Sequence, residues 1–169
     1  MKRRPRLTRA RLRELLDYNP KTGEFRWRKR PRNSVHLDRS AGYVQPLQGY
    51  RYIGIDGGLY LAHQLACFYM TGRWGRPSID HRDGDATNNR WSNLRRATRS
   101  QNNANRFRPR HNTSGYKGVY LCGASGKWRA AITKNGENIP LGRFDTRQAA
   151  HAAYVAAARK HYGEFARAG

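Results

Sequence analysis

Apolar residues along the first twenty positions recur at helical spacing. In LTRARLRELLDYNP, Leu12, Leu15 and Leu16 share one face, Thr8 stands where a helix is capped, and Leu7 and Leu12 occupy the staple positions around that cap. Asn19-Pro20 is the expected stop. GEFRWR then alternates with period two and predicts a short strand with Trp27 in the core, and RKRPRNSVHLDRSAG predicts a basic loop. GYRYIGIDGGLYLAHQLACFYMTG predicts a strand over 50–55, a turn at Asp56-Gly57-Gly58, a strand over 59–61 and a helix closed by Gly72. Ile79 leads into a strand end at Asp80-His81, and residues 94–98 predict another strand. Thr98 and Gln101 then have capping-box spacing, which puts Asn102 near the first turn of a new helix.

The last third predicts three short strands with turns at Gly123 to Gly126 and at Asn135-Gly136. A helix capped by Thr146 follows, with Ala149, Ala150, Ala153, Tyr154 and Ala157 as its packing stripe. The organisation expected is an N-terminal helix and basic extension over 1–49, a central module over 50–106, a polar linker over 107–114 around Pro109, and a C-terminal module over 115–169. The class is α+β.

Charge narrows the function classes. Lys and Arg total 34 against 11 Asp and Glu, a formal net charge of +23 with a pI near 11.2, so a polyanion is the expected partner. The cations are interleaved with Tyr, Trp, Asn and Gly rather than set opposite an apolar helical face, which favours nucleic acid over a membrane surface. The start, MKRRPRLTRARLR, has the charge of a signal peptide without its apolar run, so a cytoplasmic location is expected. Cys67 and Cys122 lack a second Cys or His at zinc-ligand spacing. No structural zinc is expected, and both read as buried reduced thiols.

One stretch runs against the charge. SIDHRDGDATNN, residues 78–89, gathers Asp80, Asp83 and Asp85 around His81. A helix-loop-helix calcium site needs Gly at its sixth position and Glu at its twelfth. Counting from Asp80 those positions hold Asp85 and Trp91, and from Asp83 they hold Asn88 and Leu94, so both registers fail. Asp83-Gly84-Asp85 instead has the chemistry of a turn, and Asn88 and Asn89 read as loop caps.

The ordered set LAHQLACFYMTGRW, IDHRDGDATNNRWSNLRRATRSQNN resembles the HNH endonucleases of phages and mobile introns, over about residues 50–105. The resemblance implies a ββα-metal core and metal-dependent hydrolysis of DNA. It makes His81 the general base, Asp80 and the amide oxygen of Asn102 the metal ligands, and Asn93 the residue whose amide ties the loop and fixes His81. Asn103 and Asn105 are the neighbouring carboxamides. It also implies a divalent ion, Mg2+ with Mn2+ as the alternative. His63, in LAHQLA, falls on a recurrent family position and is expected to pack or to contact phosphate.

From Gly115 to Phe165, GYKGVY, KWRAAI, PLGRFDT and QAAHAAY resemble the Apetala-type, or ethylene-response-factor, DNA-binding domain. That implies a three-stranded antiparallel sheet packed on one helix and laid in the major groove of double-stranded DNA. Lys117, Lys127, Trp128, Arg129, Lys134 and Arg143 are its candidate contacts, with Tyr120 and Pro140 departing from the plant pattern. The expected protein is a phage-derived nuclease, nicking or cutting both strands, that acts as a monomer or weak dimer in a bacterial host. The alternative is a sequence-specific DNA-binding protein that uses the same folds without cleaving. MKRRPR and RWRKRPR are further candidates for phosphate contacts.

Overall fold

The computed structural model describes residues 7–29, 36–74, 78–123 and 125–168. MKRRPR, residues 30–35 of the basic loop and residue 124 of the first C-terminal turn lie outside it. The protein is α+β, built from small antiparallel sheets and helices, and forms two compact units, Met1–Arg96 and Ala97–Gly169. The division falls before the helix that carries Asn102, and residues 107–114 lie inside the second unit. No helix among the described residues is long and apolar enough to cross a membrane.

The first unit opens with α1 (Arg9–Leu15), where the Thr8 hydroxyl accepts from the Arg11 N–H and Leu7 and Leu12 are both buried. The helix stops at Leu15, short of the expected Asn19-Pro20, because β1 (Leu16–Tyr18) takes over and pairs antiparallel with β2 (Phe25–Trp27). Helical continuation would turn Tyr18 off the core face. The period-two pairing buries Leu16, Tyr18, Phe25 and Trp27 together.

β3 (Tyr43–Val44), β4 (Arg51–Ile55) and β5 (Gly58–Leu61) form an antiparallel sheet, and the β4–β5 turn runs through positive φ at both Asp56 and Gly57, as a type I′ hairpin requires. α2 (Ala62–Thr71) follows and ends at left-handed Gly72. Its last carbonyls are gathered by α1, since Arg9 donates to the Tyr69 and Met70 oxygens at 3.0 and 2.9 Å. Leu12, Phe25, Ile53, Ile55, Leu65 and Ile79 form the centre of the core beneath these elements. β6 (Ser78–His81) and β7 (Leu94–Ala97) close the unit as a two-stranded sheet, with Asp80 and His81 at the end of β6.

In the second unit α3 (Arg99–Asn105) begins with the full capping box, Thr98 and Gln101 each bonding the other's backbone. β8 (Val119–Cys122), β9 (Lys127–Lys134) and β10 (Glu137–Phe144) form a three-stranded antiparallel sheet with β9 in the centre, and α4 (Arg147–Tyr162) packs on it. Pro140 is tolerated because β10 is an edge strand, and the register shifts beside it. The stripe of α4 is Ala150, Tyr154, Ala158 and Tyr162, an i+4 series; Ala153 and Ala157 flank it and Ala149 is exposed. Cys67 is buried and Cys122 half-buried, both as thiols.

Candidate active site

The loop between β6 and β7 is built from carboxamides and two carboxylates. Asp83 accepts from the Asp85 N–H at 2.8 Å, from Asn88 Nδ2 at 2.6 Å and from Asn93 Nδ2 at 2.9 Å. Partial burial pushes its carboxyl up, but these hydrogen bonds and the charge of His81 outweigh that and hold it below the usual range. Asp85 caps the next turn through the Thr87 N–H and hydroxyl. Both aspartates are thus turn residues. Asn93, in the 3-10 turn 91–93, spans the loop: its Oδ1 accepts from the Asp83 N–H at 3.1 Å and its Nδ2 donates to the Asn88 carbonyl at 2.8 Å. The Arg82 N–H meets the Asn93 carbonyl at 2.9 Å, so the loop's two ends are tied by the same residue.

His81 is buried, and its Nε2 lies 3.1 Å from Asn89 Oδ1. Asn89 Nδ2 donates to the Thr87 carbonyl, which orients the amide so that its oxygen faces the ring. An amide oxygen can only accept, so Nε2 carries the proton and, in the neutral ring, Nδ1 is the basic nitrogen. Asn89 is 2% exposed, and its carbonyl accepts from the buried Tyr18 hydroxyl at 2.7 Å. Reading Asn89 as a loop cap therefore missed its contact with His81. Its buttress, Tyr18, stands 71 positions earlier in the chain.

The same buttress involves Gly23, at φ +80°, where an added Cβ would come 2.4 Å from the Asn89 carbonyl carbon and 2.5 Å from the Arg90 nitrogen. Gly23→Ala is expected to destabilise the first unit by more than about 1 kcal/mol, from the left-handed backbone and the clash together. If Asn89 positions His81, the variant also loses activity under conditions where it remains folded. Urea unfolding followed by Trp fluorescence checks the first expectation, and an activity assay on the folded variant checks the second.

Asp80 and Arg95 form a buried ion pair, with Arg95 Nε 2.8 Å from Asp80 Oδ2 and side chains 4% and 6% exposed. Sequence reading did not single out Arg95. The available signal was its strand position beside Leu94, where a buried carboxylate nearby needs a fixed cation. His63, on α2, stands edge-on to His81 with ring centroids 5.0 Å apart, and Tyr50 packs 5.2 Å from His63.

Burial, and then the charge of His81, push the His63 imidazole down to about 3. The unfolded chain thus takes up a proton near pH 6.5 that the folded chain refuses until far lower pH. Stability contributed by neutral His63 is complete above about pH 6.5 and falls as pH drops from there towards about 3, by up to about 1.4 kcal/mol per unit. Replacement by Phe is expected to flatten that acid slope, measured as urea midpoints between pH 7 and pH 4.

Asn102 lies on α3 in the second unit. Of the DNA-contact candidates, Arg129 and Arg143 face each other across β9 and β10, and Tyr120 pairs with Arg129 from β8 and carries its guanidinium 5.5 Å above the ring. Lys127 is exposed and paired with Asp145 at 3.1 Å. Trp128 is half-buried against the sheet–helix core, and Lys134 meets His161 of α4 at 3.4 Å. Lys117 is turned inward: its ammonium donates to the Ala104 and Arg106 carbonyls at 2.5 and 2.6 Å, and burial, then Arg167, push it down to about 8.

Residues 60–104 match the family described as HNH endonuclease. The chain carries an HNH endonuclease domain. The matched HNH span includes His63, Asp80, His81, Asn93 and Asn102. Protein 3.8 of Escherichia phage T7 is 34% identical over 90 residues, covering 53% of this chain and 73% of the phage protein, and the chain belongs to the same family as that protein. No significant match is found among solved structures. The HNH domain points to a metal-dependent nuclease with DNA as its substrate.

Proposed function

We propose that this protein hydrolyses phosphodiester bonds of double-stranded DNA, with His81 as general base and Asp80 and Asn102 as the ligands of a divalent ion. The observation that carries the reading is the 3.1 Å contact of His81 Nε2 with Asn89 Oδ1, the Asn89 amide being turned by its bond to the Thr87 carbonyl; in this reading the proton sits on Nε2 and Nδ1 removes a proton from the attacking water. The imidazolium formed keeps its Nε2–H on the Asn89 amide oxygen, and Asp83 lies close enough to interact with its charge. Asn93 acts on the reaction by holding the loop that holds His81.

The donor chemistry fits a hard cation. Asp80 offers a buried carboxylate and Asn102 an amide oxygen, oxygen donors of the kind that hold Mg2+ or Mn2+ and unlike the thiolate-and-imidazole sets of structural zinc. When bound, the ion supplies charge stabilisation to the phosphate and the departing 3′ oxygen. Arg95 orients Asp80 through Nε. The second unit, read as an Apetala-type module, lays the Tyr120–Arg129–Arg143 row of its sheet against the duplex.

Supercoiled plasmid incubated with Mg2+, Mn2+ or EDTA tests the proposal. Relaxed or linear product is expected with the ions and none with EDTA. Tight DNA binding without product under any ion would replace the reading with that of a non-cleaving DNA-binding protein.

A further inference from the structure

We propose that a groove of the second unit binds single-stranded DNA, separately from the Tyr120–Arg129–Arg143 row of the sheet. The groove has a volume of about 1230 Å³ and runs along α3 and residues 106–111 over β9. Its wall carries Arg99, Arg106, Arg108 and Arg110, and among the described residues no Asp or Glu lines it. It exceeds the roughly 300–1,000 Å³ typical of a small-molecule pocket, and four guanidinium groups without a counter-charge along one trough suit a chain of phosphates.

An aromatic chooses between a paired and an unpaired strand. Phe107 lines this groove and is 56% exposed, with the Arg167 guanidinium 4.1 Å from its ring centroid. A solvent-exposed ring among cations is a stacking platform for an unpaired base, because bases inside a duplex already have both faces stacked. The Arg167–Phe107 pair continues such a stack, guanidinium on ring on base. Two cations of this groove are held in place: Lys117 ties the Ala104 and Arg106 carbonyls, and Arg108 donates to the Asn112 carbonyl at 3.3 Å, which shapes the segment that carries Phe107. A nuclease acting where a strand is displaced or ends would use such a groove to hold the unpaired portion.

The choice of DNA over RNA rests on the DNA-cleaving reading, and binding measured in EDTA separates the groove from cleavage. Fluorescence anisotropy of the full chain with labelled single-stranded DNA, the matching duplex and single-stranded RNA tests it. Phe107→Ala is expected to weaken single-stranded DNA binding about tenfold, within a range of roughly 5- to 150-fold, with duplex affinity changing less than about twofold and Phe107→Trp restoring the loss. A double Arg108→Ala, Arg110→Ala variant should lower the salt slope for the single strand by about 1.4. Equal losses on single strand and duplex, no loss on the single strand, or tighter binding of RNA than DNA would each overturn the proposal. Phe107 is exposed, so its replacement leaves the fold in place.

Discussion

His81→Ala is expected to slow cleavage of a labelled duplex by a factor on the order of 10²–10⁴ under single-turnover conditions, with DNA affinity in EDTA within about twofold of wild type. The expectation follows from what the ring does rather than from what it binds. It is buried at the end of β6, and its Nε2 is held 3.1 Å from the Asn89 amide oxygen, which fixes the orientation of the ring. Asn89→Ala is expected to fall between the two, because the base survives but its orientation and tautomer are no longer held. An Asn89→Ala variant as active as wild type would remove Asn89 from the account and leave Asn93 as the loop's tie.

The Asp80–Arg95 pair should dominate stability of the first unit. Taking away either partner leaves a charge inside a site where both side chains are less than a tenth exposed, and Asp80→Leu or Arg95→Leu alone should each cost about 3–5 kcal/mol. The double Asp80→Leu, Arg95→Leu variant should recover most of that loss, since no buried charge remains, yet stay inactive because the carboxylate is gone. Urea midpoints of the four proteins measure the coupling, and cleavage assays on the folded double variant separate it from function. A double variant as unstable as the singles would mean that the pair is not what holds β6 to β7. An active double variant would mean that Asp80 does not serve the ion.

Local signals survived folding where one element contained the whole argument. Thr8, Gly72, the Thr98–Gln101 box, the Asp56-Gly57 and Asn135-Gly136 turns and the Thr146 cap all depend on residues within a few positions, and each is in place. Readings failed where a distant partner decided. Leu16 satisfies both a helical stripe and a strand alternation, and only β2 on the other side of a turn selects the strand. Ala149 and Ala158 look alike in an alanine-rich helix until β9 and the 3-10 turn after α4 choose the face.

The site followed the same rule. Asp83, Asp85 and Asn93 act through neighbours within ten positions, so their spacing in the chain already carried the geometry. Asn89 and Arg95 gain their meaning from Tyr18, Gly23 and Asp80, which folding brings to them. Lys117 shows the opposite case, since a basic residue in a basic chain gave no sign that it would tie the end of α3.

The central claim is that His81 removes the proton, and rescue by a free base tests it most directly. Single-turnover cleavage by His81→Ala should be slow in plain buffer with the divalent ion and should recover as imidazole is added, in proportion to its neutral form across pH 6 to 8. A variant that cuts as fast as wild type without imidazole would contradict the claim.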